Sequence, residues 1–183
     1  AALGLLSPFV ERNEPCVMRQ LLADWPPVHL WDDSHLRAAC GDVQIPVRKA
    51  DGPGQFGDPT RPGVYSSESS LMEVSDFLDA LGAAEAAGDH GALYAAQLRL
   101  RNASPRLFAE TQPAPAVLRA LGPLWRNSPS AYIGSGSRTT LHFDCLENLL
   151  CVVRGSKRVT LWHPGYSGLL YPGGGGSGLF SQV

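Results

Sequence analysis

The stretch TTLHFDCLENLLCVVRGSKRVTLWHP, residues 139–164, constrains the fold more than any other. Two strand-like runs, the apolar LLCVV at 149–153 and the mixed RVTLW at 158–162, flank Gly155-Ser156, and that pattern predicts a β-hairpin. A lone hairpin is marginal in water, so these strands need a larger sheet to bury their apolar face. Within the stretch His142 and Asp144 stand two residues apart. Side chains two apart on a strand project to the same side, about 7 Å from one another along it. A neutral imidazole and a carboxylate converging on one point suit a first-row transition metal. Two His and one carboxylate on one face of such an ion leave coordination positions open for other ligands. The same pair also fits a hydrogen-bonded core histidine and an aspartate at a strand end.

Composition narrows the partners. The 183 residues are 44% hydrophobic and 17% charged, which suits one globular domain with a real core. The net charge of −2 comes without a basic block, which disfavours nucleic acid. Apolar runs fall far short of the ~20 residues a membrane span needs. AALGLLSPFV has no charged n-region, so no secretory signal is expected there. The first residue is not Met, which leaves the natural start open. Cys16, Cys40, Cys145 and Cys151 show no C-x-x-C spacing and read as reduced, buried thiols.

Along the chain, residues 15–31 read as a short strand, a short helix and a turn. SHLRAACG predicts a helix with Ser34 as N-cap and Gly41 as C-cap. VQIPV predicts a strand, and the Gly-, Pro- and Ser-rich residues 51–67 a loop. SLMEVSDFLDALG carries Ser70 and Glu73 in capping-box spacing. Leu71, Val74, Phe77, Leu78 and Leu81 then share one helical face, and Gly82 ends the helix. ALYAAQLRL predicts a strand with Tyr94, Ala96, Leu98 and Leu100 on one face. A short helix follows near AVLRALG. SAYIG and TTLHFD read as strands, and YPGGGGSG as a loop. The expected class is α+β, with helices decorating an antiparallel β core.

Lys157 shares strand parity with Val159 and Leu161. An ammonium on an apolar face needs an anionic partner or must lose its charge, unless it snorkels from a hairpin end. A dicarboxylate ligand would supply that partner. Tyr94 and a threonine just before His142 could add neutral hydrogen bonds, and Asn148 could reach the end of that ligand nearer the metal.

The pattern T-x-x-H-x-D, with Asn six and G-x-K ending fifteen after the His, is carried by Thr139, His142, Asp144, Asn148, Gly155 and Lys157. It resembles the JmjC-domain, cupin-like family of Fe(II)- and 2-oxoglutarate-dependent hydroxylases. ENLLCVVRGSKRVTLWHP followed by LLY resembles the small JmjC hydroxylases that act on lysyl or asparaginyl side chains of proteins. PCVMRQLLADWPPVHLW and LYAAQ extend the likeness upstream.

That resemblance implies a double-stranded β-helix (jelly roll) core with N-terminal helical decoration, C-terminally truncated. Residues 1–90 would form the N-terminal α/β decoration and residues 91–183 the first part of the core. It implies His142 and Asp144 as iron ligands, with the family's third ligand, a distal His, absent. His163, the one later histidine, falls where relatives carry a residue that is not a ligand. It implies Thr139, Lys157 and Tyr94 on the distal carboxylate of 2-oxoglutarate and Asn148 near its keto-acid end. Strict alternation pairs Thr140 with His142, so a bulge is expected before the His.

The implied activity couples oxidative decarboxylation of 2-oxoglutarate to hydroxylation of a protein substrate, in cytoplasm or nucleus, with a homodimer in the full-length form. The rivals are a non-catalytic JmjC-like binding module, a JmjC lysine demethylase, a cupin binding Zn²⁺ or Mn²⁺, and a tRNA-modifying hydroxylase. The pI of about 6.2 weighs against the last.

Overall fold

The computed structural model describes residues 2–50, 55–56, 69–112, 114–115, 118–119, 129–139, 141–143 and 148–170. Its elements are α1 (Ala2–Glu11), α2 (Pro26–Leu30), α3 (Asp33–Cys40), β1 (Gln44–Lys49), β2 (Gln55–Phe56), β3 (Ser69–Glu73), α4 (Val74–Ala86), β4 (Leu93–Arg99), α5 (Leu100–Ala103), α6 (Pro105–Glu110), β5 (Ser130–Gly134) and β6 (Arg138–Thr139), with a 3₁₀ turn at Pro164–Leu169. The class is α+β, as expected. Helix α1 has no counterpart in the sequence reading, and residues 15–19 form no strand. None of the helices among the described residues is long and apolar enough to cross a membrane.

The chain divides into two compact units. The first is Ala1–Gly41 with Leu98–Ala131 and Cys151–Gly155. Its helices are set by their caps. Asp32, not Ser34, caps α3, because its carboxylate accepts from the His35 backbone N–H at 2.7 Å. Ser34 instead donates its hydroxyl to Asp32. Gly41 follows the helix as expected. Pro26 and Pro105 open α2 and α6, where a missing N–H costs nothing. The buried Ser104 hydroxyl accepts from Leu107 N–H at 3.2 Å and donates to the Ala39 carbonyl at 3.0 Å. One small side chain thereby caps α6 and ties it to the end of α3. Leu36, Cys40, Leu100 and Leu107 fill the core beneath.

Glu110, at the end of α6, accepts from the Trp31 indole at 2.8 Å, from the His35 ring at 2.9 Å and from Arg106 at 3.2 Å. Burial pushes this carboxyl up. The hydrogen bonds from Trp31 and His35, the His35 charge and the Arg106 hydrogen bond outweigh that and hold it below its ordinary value. A carboxyl depressed in the folded state adds stability above its unfolded pKa and loses it as pH falls through the folded one. Glu110→Gln is therefore expected to cost about 1.5–3 kcal/mol at neutral pH, the range for hydrogen bonds to charged groups. Urea unfolding of both proteins down a pH series should show the gap closing in acid.

The second unit is Asp42–Gln97 with Tyr132–Leu150 and Ser156–Val183. Its main sheet has the order β3-β1-β4-β5. β1 runs antiparallel to both neighbours, with Ile45 opposite Met72 and Val47 opposite Ala95. Pro46 falls one residue before the β1–β4 pairing begins, so its missing donor breaks no rung to β4. Ile45 and Val47 are buried on one face of β1, as are Val74, Phe77 and Leu78 on α4. Those three belong to the apolar face that the sequence predicts.

The predicted start and end of that helix are not found. Residues 69–73 pair with β1 instead, leaving Leu71 70% exposed, and α4 begins after Glu73, which makes no side-chain cap. Pairing with β1 satisfies more backbone groups than a capping box would. Helix α4 runs through Gly82 and stops at Gly88, φ +74°. There Asp89 N–H reaches Ala84 and Gly88 N–H reaches Glu85, the paired bonds of a Schellman motif. That motif needs the left-handed backbone that glycine adopts without strain.

In β4, Gln97 at φ +58° interrupts the alternation, so Tyr94 and Leu98 do not belong to one continuous pleated face. Leu100 has already turned into α5.

Candidate functional site

The residues expected to hold metal and co-substrate fall within the second unit. Tyr94 lies in β4 opposite Arg48 of β1 and is 9% exposed. Burial pushes its phenol up, Tyr132 adds to that, and Arg48 offsets part of it. The hydroxyl is therefore a neutral donor throughout the ordinary pH range, which suits an anionic ligand. Its ring stacks on Tyr132 of β5, centroids 6.3 Å apart and planes at 28°. Nothing in the sequence singles out Tyr132. Its only signal there is a place on a strand, and the sequence does not say which strand lies beside it.

Thr139 ends β6, exposed, opposite Phe56 in the parallel β2–β6 pair. His142 follows in an isolated one-residue bridge and is exposed. Asp144 lies outside the described residues, so the geometry of the H-x-D pair is not described. Thr140 and the bulge expected there also lie outside them. Asn148 and Lys157 are exposed.

The predicted hairpin is corrected. Gly155 takes a turn conformation, φ +75°, but neither 148–153 nor 156–163 forms a strand. A strand is stable when a neighbour takes its backbone groups and a layer covers its apolar side. Here Leu150, Val152, Val159, Leu161 and Trp162 are 41–65% exposed, so among the described residues no layer covers that apolar side. Beside the turn, Arg154 pairs with Asp33 within the first unit.

His163 has a local structural task. Its Nδ1 accepts the Gly165 N–H at 3.0 Å and caps the 3₁₀ turn. His35 is engaged by Glu110, and the His29 ring bonds the Ala23 carbonyl. Of the cysteines, Cys40 is buried as expected and forms no disulfide, its thiol donating to the Leu36 carbonyl at 3.3 Å, and Cys145 lies outside the described residues. Cys16 is free but exposed, which corrects the expectation of a buried thiol there. Burial pushes the free Cys151 thiol up, away from the reactive thiolate. The YPGGGG loop, most of 51–67 and most of AVLRALG lie outside the described residues.

Among the described residues no three His, Cys, Asp or Glu side chains are grouped to hold a metal ion. The donors His142 and Asp144 fit iron in kind, imidazole nitrogen with carboxylate oxygen. A facial set of two His and one carboxylate would need one more imidazole beside them.

Comparison with known proteins covers nearly the whole chain. A model of the cupin-like domain matches residues 3–182. The human protein named bifunctional peptidase and (3S)-lysyl hydroxylase JMJD7 is 30% identical over 158 residues, which are 83% of this chain and 48% of that protein. The Drosophila melanogaster Jumonji C domain-containing protein 5 is 26% identical over 166 residues, 88% of this chain and 39% of that protein. The Arabidopsis thaliana lysine-specific demethylase JMJ31 is 48% identical over 48 residues, 26% of this chain and 8% of that protein. The chain thus spans less than half the length of each of these relatives. With the cupin-like model matched across nearly all of its residues, and JmjC proteins among its relatives, the chain belongs to the cupin-like JmjC family, near the small hydroxylases.

Proposed function

We propose that this chain serves an Fe(II)- and 2-oxoglutarate-dependent hydroxylase, built on a jelly-roll core, whose substrate is a protein side chain. The observation that carries the reading is one set of spacings. Thr139, His142, Asp144, Asn148 and Lys157 recur at the family's intervals in a chain similar to a lysyl hydroxylase. His142 and Asp144 are the residues that would hold iron, which when bound supplies O₂ chemistry. Lys157 carries the charge that pairs with the distal carboxylate of 2-oxoglutarate. Thr139 and Tyr94 donate neutral hydrogen bonds to it, and Asn148 serves its keto-acid end.

The test uses the protein as its gene encodes it. Under anaerobic conditions with Fe(II), titration with 2-oxoglutarate should raise a metal-to-ligand charge-transfer band in the visible. Lys157→Ala should raise the half-saturating concentration about 10-fold or more, since a hydrogen bond to a charged group is worth about 1.5–3 kcal/mol. An iron-loaded protein that gives no band overturns the reading. The demethylase reading is the second, favoured by the short match to the Arabidopsis protein. Hydroxylation of an N-methyl group releases formaldehyde, so assaying that product on methylated and unmethylated peptides separates the two.

A further inference from the structure

The backbone of β5 passes close to the Tyr94 ring at Gly134. A Cβ built at Gly134 would stand 2.8 Å from Tyr94 Cδ2, with the Leu93 carbonyl at 3.3 Å and the Ser137 hydroxyl at 3.4 Å. Real Cβ atoms essentially never approach a neighbour as closely as 2.8 Å, so any side chain there must displace the ring. Gly134 is not among the glycines at positive φ, so the position asks for room rather than for an unusual backbone. Tyr132, two residues earlier on the same strand, stacks on the same ring. Residues two apart on a strand face the same side. Tyr132 and Gly134 therefore form one bed for the ring, with a stacking wall and a gap beside it. The ring is 9% exposed and has little space to swing aside.

We infer that Gly134 and Tyr132 are positioning residues that set where the Tyr94 hydroxyl stands. This rests on the proposed role of Tyr94 in holding the 2-oxoglutarate carboxylate. The hydroxyl sits at the far end of the ring, so a push at Cδ2 is carried to the donor atom. A displaced hydroxyl loses the short, aligned geometry that its hydrogen bond to the carboxylate needs.

The test is a double-mutant cycle in the iron-loaded protein, reading half-saturation by 2-oxoglutarate from the charge-transfer band and the co-substrate KM separately from kcat. Tyr94→Phe, which removes only the hydroxyl, should raise half-saturation about 10-fold or more. Gly134→Ala should raise it by a similar factor, with kcat at saturating co-substrate little changed. The double variant should be no worse than the weaker-binding single one, because the added methyl group acts only through the hydroxyl already removed. Tyr132→Phe keeps the stacked ring and should bind as the parent does, whereas Tyr132→Ala should weaken binding. If Gly134→Ala does not fold, Tyr132→Ala with Tyr94→Phe makes the same cycle at a half-exposed position. Wild-type half-saturation in Gly134→Ala and Tyr132→Ala, or effects that multiply in the double variant, overturns the inference. In that case the Tyr94 reading stands if Tyr94→Phe itself binds weakly. An unmoved Tyr94→Phe overturns both.

Discussion

Phe77→Ala should lower the stability of the second unit by about 3–5 kcal/mol, the usual cost of emptying a fully buried phenylalanine site. The ring is fully buried, on a helix whose neighbours Val74 and Leu78 are also buried. Helix α4 packs against β1, which presents the buried Ile45 and Val47. The helix is also anchored at its start, where Val74 N–H bonds the Val43 carbonyl at 3.1 Å. A helix held at one end and packed along one face cannot collapse into the cavity, so the lost contacts are not recovered. Against a typical total of about 5–15 kcal/mol the loss is large enough to unfold a marginal protein. Urea unfolding followed by circular dichroism measures it. Leu71→Ala is the comparison. By helical periodicity Leu71 belongs with Phe77. In the fold it lies on β3, largely exposed, and its truncation should fall within about 0.5 kcal/mol of the parent. Equal losses at the two positions would restore the helix from residue 70 that periodicity predicts.

His142→Ala should weaken Fe(II) binding by roughly 100-fold or more. Removing outer partners of metal ligands costs about 10–100-fold, and deleting a ligand itself costs more. The control is His163→Ala. Its imidazole accepts a backbone N–H and caps a turn, so its loss should shorten that turn and leave iron affinity unchanged. Anaerobic Fe(II) titration of the protein as its gene encodes it, with the two variants side by side, decides between them. Weak binding in His163→Ala with normal binding in His142→Ala would move the ligand from one histidine to the other and remove the H-x-D pair from the metal site.

What can be read along the chain is what short-range chemistry decides. The strands at Gln44–Lys49, Leu93–Arg99 and Ser130–Gly134 are legible as short apolar runs bounded by polar or turn residues, though the single face expected along Leu93–Arg99 breaks at Gln97. The buried face Val74, Phe77 and Leu78 is legible from its 3.6-residue period. The turn at Gly155 follows from its glycine, and the T-x-x-H-x-D and G-x-K spacings are plain in the sequence because a motif is a set of intervals.

What needs the fold is what depends on a neighbour remote in sequence. Ser70 and Glu73 fit a capping box equally well as part of a strand, and β1 decides in favour of the strand by taking their backbone groups. Gly82 and Gly88 are alike in sequence, and only the Schellman bonds at Gly88 stop the helix. The apolar runs around Gly155 have strand character but no strand geometry, since a ladder is a property of two strands and not of one. The bed for Tyr94 joins residues some forty positions away, Tyr132 and Gly134. Neither carries a local signal, because the reason for a ring at one and an empty space at the other is the aromatic side chain that β4 lays across them.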